Sequence, residues 1–172
     1  MLNNYFRLCK IAEANKIEEP GLEGRKRLQK IAFISKALGY PIGTPFVFHL
    51  QGPYSPGLAA HLNEAREFGL LIGSSEEPYR LTSYGLEFLH TFLSEHPEEK
   101  PPLRILESVS KEVGACPTAD LELLATLFYL DDVGYNNRTE AAKKVGELKP
   151  EKFSTEKIAA ALETKERLQG FQ

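Results

Sequence analysis

The sequence predicts a mainly α-helical protein carrying a small β wing, followed by a C-terminal helical extension. Three observations over Phe46–Phe92 predict the wing-bearing part. Ser55-Pro56 reads as a helix start, because Ser can cap free backbone N–H groups and Pro at the first helical position gives up a donor that had no partner. Gly69 reads as the stop of that helix, followed at once by the apolar run Leu70-Leu71-Ile72. Tyr79-Arg80-Leu81-Thr82-Ser83-Tyr84-Gly85 then closes a polar tip at 74–78 and enters the next helix.

Taken together, the order is strand, turn, helix, short strand, polar tip, short strand, helix. That order resembles the second half of a winged helix, and the closing phrase resembles the YxLTxxG with which many winged-helix proteins leave the wing. The winged-helix-like unit is expected to occupy 1–96. A linker at 97–102, rich in proline and charge, leads to a helical subdomain at 103–172 that packs on the first.

The elements are justified in turn. Leu2, Tyr5, Phe6, Leu8, Cys9, Ala12 and Ile17 recur at helical spacing over 2–18, and Pro20-Gly21 breaks the pattern. A second helix runs from Gly24 to Leu38, with Leu28, Ile31, Ile34 and Leu38 as its apolar face. Arg25, Gln29 and Lys36 form a separate polar stripe on it. Arg27 falls inside the apolar sector, which points to an anchored guanidinium bonded to carbonyls or a carboxylate. Phe46, Phe48 and Leu50 alternate onto one face of a strand, and Gln51-Gly52-Pro53-Tyr54 is its turn. Helices follow at 56–68, 83–96, about 103–113, 119–133, 139–148 and 155–168. The segment Leu121–Leu130 is apolar enough to be the buried centre of the C-terminal part.

Composition is that of an ordinary globular chain: 172 residues, 42% hydrophobic and 26% charged. The N-terminus has charges within its apolar pattern and reads as no signal peptide, and no run approaches the roughly 18–20 apolar residues of a membrane span. Cys9 and Cys116 are expected to be reduced thiols in a cytoplasmic protein. Net charge is −3 with a pI of about 5.9. Residues 1–36 hold eight basic and four acidic side chains, 8 − 4 = +4, so the remainder carries −7. The basic quarter sits on an acidic body.

Two phrases carry a wider resemblance. One is Gly24-Arg25-Lys26-Arg27-Leu28-Gln29-Lys30-Ile31 with Phe48-His49-Leu50-Gln51-Gly52-Pro53-Tyr54-Ser55-Pro56. The other is Leu121-Glu122-Leu123-Leu124-Ala125-Thr126-Leu127 with Leu148-Lys149-Pro150 and Phe153-Ser154. In this order they resemble the YwgA-like family of uncharacterised prokaryotic proteins along nearly the whole chain. A looser similarity, in the Leu-Gln-Lys helix and the Gly-Pro turn, is to the Panacea domain of antitoxins. The first resemblance implies a helical, winged-helix-like fold; the second implies recognition of a protein partner such as a toxin.

Function is read as non-enzymatic and regulatory. Residues 56–68 would be the groove-reading helix, but its outward face offers Asn63, Glu64 and Glu67, and two carboxylates are repelled by a duplex. The better nucleic-acid or anion candidate is the basic helix 24–36, through Arg25, Lys26, Lys30 and Lys36. The commoner fate of such a charge run, set against this, is a solvated face paired with Glu18, Glu19 and Glu23. The alternative to DNA is a protein partner, met at Tyr54, His61, Glu64 and Glu67. The four histidines share no metal-ligand spacing, there is no phosphate-cradling loop and no nucleophile motif, and Asp131-Asp132 end a helix facing solvent. No catalytic residue, metal or cofactor is nominated.

Overall fold

The computed structural model describes residues 2–15 and 24–171. Ile17, the break at Pro20-Gly21, Lys16 and the acids Glu18, Glu19 and Glu23 lie outside the described residues. Among the described residues there are eight α-helices and two antiparallel two-stranded sheets. In chain order they are α1 (Leu2–Ala14), α2 (Gly24–Ala37), β1 (Val47–His49), β2 (Gly52–Tyr54), α3 (Pro56–Glu67), β3 (Leu71–Ile72), β4 (Arg80–Leu81) and α4 (Ser83–Glu95). There follow a 3-10 turn (Pro97–Glu99), α5 (Lys100–Val113), α6 (Thr118–Asp132), α7 (Arg138–Leu148) and α8 (Thr155–Gln169). The fold is mainly α with small β hairpins.

Local chemistry sets the middle of the chain. Ser55 accepts a bond from the Leu58 N–H at 3.2 Å, and Pro56 takes the first helical position of α3. Gly69 adopts φ +71° and closes the helix, its N–H reaching the Arg66 carbonyl while the Leu70 N–H reaches Ala65. β3 and β4 pair Leu71 with Leu81 and Ile72 with Arg80. Thr82 caps α4 by accepting from the Gly85 N–H at 2.9 Å. Gly85 is required by a close approach: a Cβ there would stand 2.1 Å from the Leu70 carbonyl oxygen. That contact explains the glycine that ends the Leu-Thr-x-x-Gly phrase.

Two expectations need correction. Gly52-Pro53-Tyr54 is a strand, paired in the register Val47–Tyr54, Phe48–Pro53 and His49–Gly52, and the turn is Leu50-Gln51. Leu50 therefore leaves the inward face held by Phe46 and Phe48 and becomes the most exposed large apolar side chain among the described residues, at 88%. Residues 97–102, expected as a linker, are the 3-10 turn and the first turn of α5. Pro101 and Pro102 fall where a helix has no N–H bonds to lose. Within that segment Glu99 is buried, receiving Arg7 Nε at 2.9 Å and Asn3 Nδ2 at 3.1 Å from α1.

The main core draws on α1 to α6, with Leu71 from β3 and Leu168 from α8. A second cluster, formed by Leu123, Leu127 and Leu130 of α6 with Ala141, Val145, Ile158 and Leu162, lies under α7 and α8. α6 thus serves both clusters, as its apolar run requires. The central partner of α6 is α2, which is buried along almost its whole length. Arg27 is anchored as expected: it is 1% exposed, donates from Nε to Asn15 Oδ1 and from Nη2 to the Gly114 carbonyl, both at 2.6 Å, and also reaches the Cys116 carbonyl.

Two outcomes follow for stability. Arg27→Ala should cost about 1.5–3 kcal/mol in urea unfolding, the range for hydrogen bonds to a charged group, and Arg27→Lys should restore little because one ammonium cannot span the guanidinium's acceptors. An unchanged midpoint for Arg27→Ala would contradict the anchor. Gly85→Ala should destabilise by about 1–3 kcal/mol through overpacking against backbone. Gly146→Ala, in open space on α7, should stabilise by up to about 1 kcal/mol. Equal effects at the two glycines would refute the close-approach argument.

Candidate functional site

The basic helix does not present the surface expected of it. Lys30 is 3% exposed and donates to the Pro53 carbonyl at 2.8 Å, which removes it from any phosphate-contacting face. Lys36 donates to the Thr44 carbonyl at 2.8 Å and lies over the Phe46 ring. Arg25 is half-buried, with Nη2 3.4 Å from Asn63 Oδ1 and its own N–H facing the Ser75 carbonyl, so it ties α2 to α3 and the wing. Lys26 is half-buried beside Lys30. Gln29, placed on the polar stripe, is buried too: its amide donates to the Ser55 carbonyl at 2.8 Å and accepts from the Ser55 N–H at 2.9 Å. Gln29 and Lys30 are internal because the β1–β2 hairpin and α6 close over them.

The residues expected as a partner surface are also redistributed. Glu64 turns toward α1 and accepts the Tyr5 hydroxyl at 2.7 Å, a bond that raises the Tyr5 pKa. His61 meets the Tyr5 ring edge-on at 5.8 Å, and Tyr54 lies half-buried beside His49. Glu67 is exposed. With Asn63 and Arg66 it lines an open groove of about 540 Å³ between α3 and the wing, closed by Leu71, Ile72 and Gly73.

What the fold does bring together is a clamp around the β1–β2 hairpin. Lys30 from α2 and Lys149 from the end of α7 hold the Pro53 and Leu50 carbonyls, the latter at 2.9 Å, while Gln29 holds Ser55. Glu122 of α6 neutralises the far side. It pairs with Lys149 and receives Lys152 on both carboxylate oxygens, at 2.8 and 2.9 Å. Packing completes the grip, with Phe48 stacked on Tyr129 at 4.7 Å. Gly52 sits under it with φ +82°, and a Cβ there would lie 3.3 Å from Thr126 Oγ1.

The electrostatics are one-sided. Burial pushes Lys30 down to about 8; Glu122 opposes that shift, and Lys149, Lys152 and Lys26 add to it. Burial would raise Glu122, but the hydrogen bonds and charges of Lys149 and Lys152 outweigh it and hold the carboxyl below its ordinary value. Both cysteines are free, and burial raises both thiols, Cys9 to about 12, which disfavours the reactive thiolate. Among the described residues no group of three or more His, Cys, Asp or Glu is placed to hold a metal ion. No helix among them is long and apolar enough to cross a membrane.

The clamp joins the phrases Leu-Gln-Lys, Gly-Pro-Tyr-Ser-Pro, Leu-Glu-Leu-Leu-Ala-Thr and Leu-Lys-Pro. No family model matches the chain. It is similar to the "Uncharacterized protein YwgA" of Bacillus subtilis (strain 168), with 28% identity over 176 residues and 98% of each chain covered. The likeness therefore includes every segment that builds the clamp. Glu122, Lys149 and Lys152 were missed as site residues by sequence reasoning. The usable hint was Glu122, a lone carboxylate inside an apolar helix, which demands a buried cation.

The Lys30 ammonium makes a pH-dependent contribution. Its pKa is about 8 in the folded chain against an ordinary 10.5, so between these values the unfolded chain holds a proton that the folded chain has shed. Stability must then rise with pH across that window, the burial penalty being fully present below it. The difference between wild type and Lys30→Met, measured by urea unfolding from pH 7 to 10.5, should show this slope. A flat difference would mean that Lys30 titrates normally.

Proposed function

We propose that this chain is a non-enzymatic cytoplasmic regulatory module that works by binding a protein partner. The observation that carries the reading is the interior position of α2. Arg27 and Lys30 are buried, Lys36 is spent on Thr44 and Arg25 bridges to Asn63, so the helix that could best have met phosphates is instead the core's central strut. Two free thiols accord with a reducing compartment. The looser similarity to the antitoxin domain points the same way.

A second reading rests on one feature. Arg25 is hydrogen-bonded to Asn63, which with Arg66 lines the α3–wing groove, where a winged helix would meet a duplex. Glu67 in that groove, and Glu76 and Glu77 at the wing tip, oppose it.

Fluorescence anisotropy with a labelled mixed-sequence duplex at about 50 mM salt separates the two. The expected result is no saturable binding by wild type and no change on Arg25→Glu or Arg66→Glu. Binding that falls steeply with salt and is weakened by either reversal would overturn the protein-partner reading in favour of DNA at the groove.

A further inference from the structure

The hairpin is held far more firmly than its size requires. Two-stranded hairpins of three residues a side have little stability of their own, and a surface loop is usually left to its own turn chemistry. Here two ammonium groups, Lys30 and Lys149, and one amide, Gln29, all almost fully buried, are committed to its main chain. The part so fixed is the apex, since Lys149 bonds the carbonyl of Leu50 itself. Yet the Leu50 side chain is 88% exposed, Val47 on β1 is 53% exposed, and Leu148, the residue before the clamping lysine, is 40% exposed.

We propose that the hairpin apex is a docking point for a protein partner that offers an apolar pocket with an acidic rim, Leu50 being the side chain that enters the pocket. The inference rests on the protein-binding reading above and says where that binding occurs. A single exposed leucine is ordinary on a protein surface. This one differs because its own carbonyl is held by the buried Lys149 ammonium and the following strand by Lys30, so it is displayed already ordered and little conformational freedom is lost when it is covered. Apolar anchors of this kind, central and preorganised, carry most of the binding energy of an interface.

Charge complementarity sets the partner's chemistry. Lys30, Lys149 and Lys152 gather here against Glu122 and the adjacent Glu151, giving a positive neighbourhood on a chain of net charge −3. Lys152 keeps 43% of its side chain in solvent and can reach a carboxylate on an approaching surface. An acidic rim is steered to this site and matched by it. A second copy of the chain would bring a like-charged apex to this one, so self-association is not the occupant the charges favour.

The test places the photo-crosslinking residue p-benzoylphenylalanine at position 50, or separately at position 67 on α3, in the full chain expressed in its own cells. The expected result is one discrete adduct from position 50, identified by mass spectrometry as an acidic protein. Lys152→Glu should reduce that adduct more than about tenfold. Thermal melting should be unchanged by the position-50 substitution, because the apex side chain makes no core contact. Crosslinking from position 67 and not from position 50 overturns this inference while leaving the protein-binding reading intact. Crosslinking from neither overturns both. An adduct with a basic protein or a second copy, or one indifferent to Lys152→Glu, overturns the acidic partner.

Discussion

Arg27, Gln29 and Lys30 leave α2 in three directions, at about 0°, 200° and 300° around a helix that turns 100° per residue. Arg27 meets the carbonyls at Gly114 and Cys116, while Gln29 and Lys30 both meet β2 and its exit, at the two polar groups of Ser55 and the carbonyl of Pro53. A helix that satisfies the backbone of two separate segments in this way cannot sit at a surface. It becomes the axis on which α1, α3, the hairpin, α5 and α6 are assembled. Desolvation offsets much of what such bonds gain on forming, whereas removing one partner leaves buried groups unsatisfied and is costly. What they fix is registry, because each carbonyl has one side chain that reaches it.

The clamp on the hairpin extends the same logic to the C-terminal half. Glu122 is carried by the helix that belongs to both apolar clusters, and its two lysines come from the end of α7 and the loop after it. The second cluster therefore does more than cap α6. By positioning α7 it delivers Lys149 to Leu50, so packing under α7 and α8 is transmitted to the exposed apolar side chain at the hairpin apex.

Much of this was legible in the residues, for reasons that are local. Ser55-Pro56, Gly69 and Thr82-x-x-Gly85 act within a few positions of themselves, so caps, stop and wing appear where short-range chemistry puts them. Arg27 was readable because an arginine in an apolar sector has few fates. The clamp was not readable, because it depends on pairs far apart in sequence, and Lys30 looks like any basic residue until α6 and the hairpin cover it. Proline misled twice: Pro53 looked like a turn and is a strand residue, and Pro101-Pro102 looked like a linker and are a helix's first turn. Both positions suit proline because neither needs its N–H.

The distances along the chain between clamp partners bear on how the molecule is made. Lys149 lies 99 residues beyond Leu50, and Arg27 finds its carbonyl partners 87 and 89 residues later. On the ribosome, where synthesis runs at about 5–20 residues per second, the hairpin and the buried guanidinium wait several seconds for their partners to appear. During that interval α2 carries a guanidinium short of its carbonyl partners and an unclosed apolar flank. The final ordering of the apex is thus a late, long-range event, and a nascent chain halted short of α7 would display Leu50 on a hairpin whose apex carbonyl Lys149 does not yet hold.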